Sequence, residues 1–486
     1  MPGWLSELLP IVALLALIVV VVARLPRADL GHSPAYLRRR FANWFPVGLT
    51  YAFLYMGRYN LRAVTNIAFD KASFAEISAW GALVYGVAFV VNGPLTDRIG
   101  GKKTIVLAAA GASIANIAMG VLVQRALVGA TVPKEAQASL VPTLSILYAL
   151  NMYFQSFGAV AIVKVNSAWF HLRERGTFGG IFGILISLGL YFAFDWCRFI
   201  VEATSAQWVF FVPASILAVF AVLNTLLVKD TPGEAGHADF DLGDVSSDEG
   251  PRLGVIAVFK KMLRSPAIIV IALVEFCSGF LRNAIMSYYQ TFAEETHRAA
   301  SPTMKKIALA AGPDAVATLP TEFVHDHWGM LNCMAGITGG VVAGLISDRV
   351  FGSRRGPVAA VLYGVMVVGA LLMFPALHSG AIGWVVVGMT LAIIGVHGML
   401  SGTATMDFGG KRNVGVVVGI IDGCVYLGTS LEHAVLGKIL PKGAAQADSA
   451  NWWKWPAVML PVAVIGLVLA TRVWNARPAG KAAAAH

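Results

Sequence analysis

The sequence predicts an all-α polytopic membrane protein with two sets of six transmembrane helices and one extra helix at the N-terminus. First, 57% of the 486 residues are hydrophobic and only 13% are charged, whereas soluble domains are about a quarter charged. Second, many apolar runs reach the roughly 20 residues that a helix needs to cross a bilayer. Third, these runs are continuous rather than alternating, which argues against a lipid-facing β-barrel.

The first predicted span covers residues 8–24 and stands apart from the others. No basic residue precedes it, whereas Arg24, Arg27 and the arginines at 38–40 follow it. This order favours an uncleaved anchor whose N-terminus lies outside the cell. A cleaved signal peptide is the alternative that the sequence leaves open.

Two sets of six further spans follow, separated by an acidic segment that is typical of a flexible linker. The first set covers 47–69, 78–96, 104–124, 139–164, 177–200 and 208–228. The second set covers 267–292, 323–347, 357–378, 381–405, 413–436 and 454–474. The predicted domains are the N-terminal helix and connector 1–45, one half 46–228, the linker 229–265, the other half 266–475 and a tail 476–486.

Charge predicts the orientation of these helices. With residues 24–45 in the cytoplasm, most Lys and Arg fall in cytoplasmic loops, as they do in membrane proteins generally. The linker and the C-terminus are then cytoplasmic as well. The net charge of +10 is explained by these loops, and without a basic stripe interleaved with aromatic residues we expect no nucleic-acid partner.

Neither the cysteines nor the histidines indicate a metal or another cofactor. The four cysteines form no C-x-x-C pair and are typical of small buried hydrophobic residues; they are Cys197, Cys277, Cys333 and Cys424. The histidines of "HDHW", His325 and His327, are two residues apart and so do not share a helix face. We therefore expect no cofactor.

A short motif occurs at matching places in the two sets of helices. "GPLTDRIGGKK" at 93–103 contains Gly93, Asp97 and Arg98, and "GLISDRVFGSRR" at 344–355 contains Asp348 and Arg349. The glycine allows close helix packing, the acid can cap or pair at a helix end, and the following cations suit the cytoplasmic surface. We interpret both copies as a folding or gating motif of an internal repeat.

On these motifs the chain resembles the major facilitator superfamily, and within it the organophosphate:phosphate antiporters, which include glycerol-3-phosphate and hexose-phosphate transporters. The stretches "YAFLYMGRYNL", "YFQSFG", "WFHLRERGT", "FLRNAIMSYY" and "DFGGKRNVGVVVGIIDG" carry the resemblance over residues 45–475. It implies two pseudo-symmetric halves around a substrate site at the membrane midplane. It also implies exchange of an organic phosphate ester for inorganic phosphate; we expect a monomer.

Arg58 and Arg282 lie near the middle of equivalent spans in the two halves. An ionised side chain at that depth costs at least ~2.5 kcal/mol, and two such charges facing each other repel unless an anion lies between them. Arginine suits a bidentate grip on phosphate, and the resemblance implies that both arginines bind it. The alternative is that each pairs with an internal carboxylate; the candidates are Asp195, Glu275, Asp407, Asp422 and Glu432.

Other candidate site residues surround these arginines in the sequence. Tyr51, Tyr55, Arg58 and Arg62 follow helical spacing, and the resemblance implies that Tyr51, Tyr55 and Tyr85 line the site, with packing as the alternative. Tyr59, Phe89 and Ile186 replace polar residues of the glycerol-3-phosphate transporters, which leaves the identity of the organic part of the substrate open. Further candidates are Lys164, as a gate charge or a snorkelling lysine, and, more weakly, Tyr288, Tyr289, Gln290, Tyr426 and His397.

Three features leave alternatives open. Arg62 could line an outer vestibule or pair structurally, and the long segment 293–322 could be an external flap or a tolerated insertion. A proton-coupled symporter that uses Asp422 and Glu432, or a sugar-phosphate sensor, would fit much of the pattern. An enzyme is not expected, because the sequence has no P-loop, nucleophile elbow or catalytic dyad.

Overall fold

The computed structural model describes residues 3–24, 30–171, 175–238, 260, 263–351, 354–400 and 405–475, which are almost entirely helical. Most of the predicted linker and the whole predicted tail lie outside these residues. So do the side chains of Asp348 and Asp407.

The helices before the linker occupy most of residues 3–227. They are α1 (Gly3–Arg24), α2 (Pro34–Tyr59), α3 (Lys71–Ile99), α4 (Gly101–Ala126), α5 (Lys134–Ser167), α6 (Arg175–Tyr191), α7 (Cys197–Ala203) and α8 (Trp208–Leu227). A π-helical turn at Phe192–Trp196 joins α6 to α7. We call residues 34–228 the N half.

The helices after the linker include three short ones between the first and second long spans. They are α9 (Pro266–Glu295), α10 (Pro302–Ala311), α11 (Pro313–Ala317), α12 (Phe323–Asp326), α13 (Trp328–Arg349), α14 (Arg355–Ala376), α15 (Ala381–His397), α16 (Thr405–Ile439) and α17 (Lys454–Arg472). We call residues 266–472 the C half.

Eleven helices in the described part of the chain are long and apolar enough to cross a membrane. Each coincides with a predicted span, so the prediction of an all-α polytopic membrane protein is confirmed. Two predicted spans are not among the eleven. In α1 the described side chains begin at Val12, which leaves the stretch Val12–Ala23. Helix α2 begins with the polar stretch that follows Pro34.

The predicted span 47–69 is wrong in its second half. Helix α2 ends at Tyr59, and a 3-10 turn, Asn60–Val64, follows it. Asn66 then has a positive φ of 65°, and Asp70 caps α3 by accepting from the Ser73 amide at 2.8 Å. The sequence predicted a helix here because the residues are apolar. They are apolar because they are buried, and an apolar run does not distinguish a packed turn from a helix.

The N and C halves approach most closely along α3 and α16. A Cβ atom added to Gly86 would lie 2.8 Å from the backbone oxygen of Gly423, and one added to Gly419 would lie 2.6 Å from that of Phe89. Only glycine allows backbones this close. The two helices therefore meet backbone to backbone.

A second contact between the halves involves α6, α13 and the extra helix. A Cβ added to Gly336 of α13 would lie 2.6 Å from the Ser187 hydroxyl of α6. Helix α1 packs against both α13 and α6, with Leu14 buried in the core. The extra helix therefore touches both halves.

The long segment 293–322 also reaches across the halves. Its helix α10 packs on α7 of the N half. There Lys306 donates to the Thr204 carbonyl, and Lys305 lies 3.2 Å from Asp326 and 4.0 Å from Glu202. The segment is folded on the surface of the molecule and bridges the two halves.

Candidate functional site

Arg58, in the last turn of α2, is buried and makes three side-chain hydrogen bonds. Nε donates to Gln155 Oε1 at 2.9 Å, Nη2 donates to the Tyr85 hydroxyl at 2.8 Å, and Nη1 donates to the Tyr426 hydroxyl. The guanidinium also lies 4.6 Å from the ring centres of Tyr55 and Tyr85. Neutral oxygens and aromatic faces thus hold the charge in place.

A polar network on α5 holds the Arg58 backbone and the side chain of its partner Gln155 in place. Gln155 donates to Asn151 at 3.0 Å, Asn151 donates to the Gly57 carbonyl at 3.0 Å, and Tyr148 donates to the Arg58 carbonyl at 2.9 Å. The sequence analysis missed Tyr148, Asn151 and Gln155. Their spacing of three and four places them on one face of an otherwise apolar helix, and that pattern could have revealed them.

Arg282 of α9 lies beside the same tyrosine, Tyr426. The ring centre of Tyr426 is 5.5 Å from the Arg58 guanidinium and 5.8 Å from that of Arg282. Arg282 is 5% exposed, and its Nε has no hydrogen-bond partner among the residues that the structure describes. The two predicted arginines thus come together around a tyrosine that the sequence analysis ranked below the others.

Three of the five candidate carboxylates have other contacts, whereas Asp422 interacts electrostatically with both arginines. Within the described residues, neither guanidinium has a carboxylate oxygen within 4.0 Å. Asp195 accepts from the Gly329 and Met330 amides at the start of α13, at 2.6 and 2.8 Å. Glu275 contacts His397, and Glu432 accepts from Asn283.

The predicted tyrosines divide into two groups. Tyr51 packs edge-on against Tyr55 at 5.2 Å, and Tyr59 lies 5.9 Å from Tyr55 and 5.8 Å from Phe194. With Tyr85 they surround Arg58. Tyr289 does not join them; its ring packs 4.6 Å from Trp328.

A small cavity with room for about one water molecule adjoins Arg58. Arg282 does not line it. Its polar lining comes from both halves and includes Tyr59, Arg62, Ser78, Tyr148, Asn283, Ser287, Tyr426, Thr429 and His433. The two halves therefore share the polar lining beside Arg58.

Ion pairs join the two halves at one end of the molecule, which we call the Glu294 end. Arg62 lies 3.6 Å from Glu294, and Lys71 pairs with Glu295. These contacts support the structural alternative for Arg62, which sits beyond the end of α2 and not on its helical face.

A second ionic cluster at the Glu294 end joins the same halves. Arg198 lies 2.7 Å from Asp326 and 2.9 Å from Glu202. Burial raises the pKa of Asp326, but the hydrogen bond with His325 and the charges of Arg198 and Lys305 outweigh it and hold the pKa below its usual value. The Asp326 carboxylate therefore stays ionised at neutral pH, and the cluster remains paired.

Reversing the Lys71–Glu295 pair tests whether these contacts stabilise this conformation. Breaking a buried pair costs about 3–5 kcal/mol, so we expect Lys71→Glu to reduce transport at least tenfold. The double variant Lys71→Glu with Glu295→Lys should recover part of it, while exposed Lys134→Glu should have no effect. Transport in proteoliposomes measures this, and a double variant no better than the single one would contradict it.

The opposite end, which we call the Asp97 end, contains the repeated motif. Lys164 lies 2.8 Å from Asp97, Gly93 is buried, and Arg98 and Arg349 are exposed. Gly100, with φ 91°, allows the tight turn between α3 and α4. The structure therefore brings Lys164 to the motif and not to Arg58.

The variant Lys164→Gln tests whether Lys164 is a charged gate residue or binds the substrate directly. If Lys164 acts only through Asp97, the variant should change the maximal transport rate and leave the half-saturation concentration within about twofold of wild type. The partly exposed pair contributes at most about 1 kcal/mol, so the rate change should stay within about fivefold. A half-saturation concentration raised tenfold in uptake assays would instead identify a substrate ligand.

The fold and this interior site define a class of protein: a multi-pass membrane transporter, and not an enzyme. Its buried arginines lie between two helical halves, where a transporter binds its cargo. Among the described residues no group of three His, Cys, Asp or Glu side chains could hold a metal ion.

The chain belongs to the Major Facilitator Superfamily, whose sequence profile matches residues 42–431. This confirms the family predicted from the motifs. A bacterial homologue of the human lysosomal transporter Spinster shares the fold, with a TM-score of 0.60 and 13% identity over 91% of this chain and 98% of that one.

Relatives of known name are similar over nearly their whole length. The glycerol-3-phosphate transporter of Bacillus subtilis is 24% identical over 92% of this chain and 95% of its own. A probable hexose phosphate transport protein of Chlamydia trachomatis is 20% identical over 91% and 94%. The membrane sensor protein UhpC of Salmonella typhimurium is 21% identical over 86% and 87%.

Proposed function

We propose that this transporter exchanges an organic phosphate ester for inorganic phosphate, with Arg58 and Arg282 binding the phosphate group. The observation that carries the proposal is the pair of buried guanidiniums, one from each half, that lie within 6 Å of the same Tyr426 ring. Two like charges in a low-dielectric interior repel, and an anion between them would remove that repulsion. The names of the relatives support a phosphate ester as the substrate.

The two arginines suit an alternating-access cycle in which the occluded state is unfavourable while the site is empty. When phosphate binds, the halves can close around it; when the site is empty, arginine repulsion disfavours the occluded state. A ligand can shift this equilibrium only by its difference in affinity for the two states. Exchange should therefore be fast and net flow slow.

The proposal also covers the orientation of the protein in the membrane and the side chains that bind the organic part of the ester. The positive-inside pattern supports an Asp97 end that faces the cytoplasm and a Glu294 end that faces outside. The Ser, Thr, Asn and His side chains that line the small cavity beside Arg58 would then bind the organic part of the ester when the halves move apart and widen that cavity. We expect the chain to work as a monomer.

The experiment is uptake of labelled phosphate into proteoliposomes loaded with phosphate or left empty. We expect loaded vesicles to take up label at least tenfold faster. Equal uptake by empty vesicles would contradict exchange. Competition with glycerol phosphate, hexose phosphates, phosphoglycerate and phosphoenolpyruvate would then identify the ester.

A sensor is the second candidate, because the UhpC relative is similar over 87% of its length. A sensor would bind the ester without carrying it. Saturable binding of labelled sugar phosphate to the purified protein, with no flux in loaded vesicles, would favour this function over exchange.

A further inference from the structure

A second cavity lies between the halves at the Glu294 end. It is small, with room for about one water molecule. Its polar lining comes from both halves and consists of Arg62, Thr65, Arg198, Gln290 and Glu294. Arg62 also lines the cavity beside Arg58. Arg62 therefore lies between the central site and the Glu294 end.

The Arg62 guanidinium is buried but incompletely paired. Its side chain is 6% exposed, and its Nη2 lies 3.6 Å from Glu294 Oε1, which is longer than a hydrogen bond. Within the described part of the chain, neither Nε nor Nη2 has a hydrogen-bond partner, and the same is true of the buried Thr65 hydroxyl. Buried donors without a partner are costly. These two side chains therefore have donors to offer an anion that the protein itself does not use.

The turn that follows α2 holds Arg62 and Thr65 together. Residues Asn60–Val64 form a 3-10 turn, and in such a turn side chains three residues apart lie on one face. The Thr65 amide donates to the Arg62 carbonyl at 3.1 Å. Both donors therefore belong to one short rigid segment of the N half, and they stay together when the C half moves.

The ion pairs at the Glu294 end place opposite charges on the two halves. Among the described residues, the Lys, Arg, Asp and Glu side chains of these pairs are Arg62, Lys71, Arg198 and Glu202 on the N half, and Glu294, Glu295, Asp326 and Lys305 on the C half. When the halves part at this end, the N half keeps an excess of positive charge and Arg62 loses its carboxylate. A positive wall of this kind attracts anions from solution.

We propose that Arg62 and Thr65 form an outer subsite for a phosphate group, which binds there between the outside and the central site at Arg58 and Arg282. Guanidinium N–H groups and a hydroxyl suit the oxygens of phosphate. In the conformation described here, the Glu294 carboxylate is the anion beside Arg62. The inference rests on the proposed function, because it takes a phosphate group as the cargo and the Glu294 end as the outer one.

The test uses two variants that break the same ion pair from opposite sides. Arg62→Gln removes the proposed phosphate ligand, whereas Glu294→Gln removes the competing carboxylate and keeps Arg62. The measurement is the half-saturation concentration for labelled phosphate in right-side-out membrane vesicles loaded with phosphate. Arg62→Gln should raise it at least threefold, and Glu294→Gln should lower it at least threefold. If the pair only held the halves together, both variants would shift it in the same direction, and that result would overturn the proposal.

Two controls assign the effect to the outer side and to Arg62. In inside-out vesicles the labelled phosphate meets the Asp97 end, so only the loss of the ion pair matters and the two variants should agree within about twofold. Lys134→Gln removes an exposed cation of the same half that does not line this cavity, and it should stay within twofold of wild type. Variants that differ as strongly in inside-out vesicles, or Lys134→Gln as impaired as Arg62→Gln, would overturn the assignment.

A second measurement covers variants that fail to transport. Gln290→Cys places a thiol in the same cavity, and Arg282→Lys in the same chain weakens the central site. A membrane-impermeant thiol reagent is added to right-side-out vesicles with or without external inorganic phosphate, and protein without the new thiol gives the background. Phosphate should slow the modification at least threefold when Arg62 is present and not in Arg62→Gln. Equal protection with and without Arg62, or a thiol that the reagent reaches in none of these proteins, would overturn the outer subsite.

The two proposals fail in different ways. Wild-type protein that exchanges phosphate, while Arg62→Gln and Glu294→Gln shift the half-saturation concentration together, would overturn the outer subsite alone. Wild-type vesicles that exchange no phosphate, together with a Gln290→Cys thiol that phosphate never protects, would overturn the proposed function, and this inference with it.

Discussion

Arg58→Lys and Arg282→Lys should each reduce phosphate exchange about tenfold to a hundredfold. Arg58 donates in three directions, to Gln155, Tyr85 and Tyr426, and a lysine ammonium cannot reproduce that planar fork. Each lost hydrogen bond from a charged donor costs about 1.5–3 kcal/mol. Labelled phosphate exchange in loaded vesicles measures the loss.

The controls for this prediction separate binding from folding. Exposed Arg125→Lys, at the end of α4, should leave exchange unchanged. Thermal unfolding of each variant should reveal any damage to the fold. If both arginines act on one phosphate, the double variant should lose little more than the worse single one, because residues that act as a unit are not additive. Undiminished exchange by Arg58→Lys would contradict the bidentate role.

Gly86→Val should reduce exchange at least tenfold by separating the two halves. The added Cβ would lie 2.8 Å from the Gly423 backbone oxygen and 3.2 Å from the Leu427 backbone nitrogen. Backbone atoms cannot rotate away as a side chain can, so α3 and α16 must move apart. The ion pairs at the Glu294 end, such as Lys71–Glu295, would then be harder to form.

The matched control for Gly86→Val is Gly364→Val on α14, because a Cβ there would meet no atom within 4 Å. It should keep exchange close to the wild-type rate. Phosphate binding to purified Gly86→Val should persist, since the valine does not touch Arg58 or Arg282. Wild-type exchange by Gly86→Val would show that close approach of these helices is not needed for the transport cycle.

Much of the fold could be predicted because helices that span a bilayer are long, continuous apolar runs, which can be recognised in the sequence. The continuous run at 208–228 became α8 with its end shifted by one residue, and the run at 78–96 became α3, which starts seven residues earlier and ends three later. The prediction failed at 60–69. There the apolar residues are buried in a 3-10 turn and a loop, and hydrophobicity alone could not separate those from a helix.

The candidate site was predictable in part for a similar reason. A charge within an apolar run is costly, and so Arg58 and Arg282 stood out. Gln155 and Asn151 did not, because uncharged amides are a weaker signal. The role of Lys164 was also open in the sequence, since either an ion pair or a cavity could have accounted for its charge; the structure places it 2.8 Å from Asp97.

The sequence by itself determined the class of protein, the helical spans and the two buried arginines, because hydrophobic length and charge are properties of short segments. Only the tertiary structure decided which side chains meet across the halves. It placed Tyr426 beside both Arg58 and Arg282, Glu294 beside Arg62, and His397 beside Glu275. These contacts join residues that lie far apart in the chain, and backbone packing at glycines, which no local pattern encodes, sets their geometry.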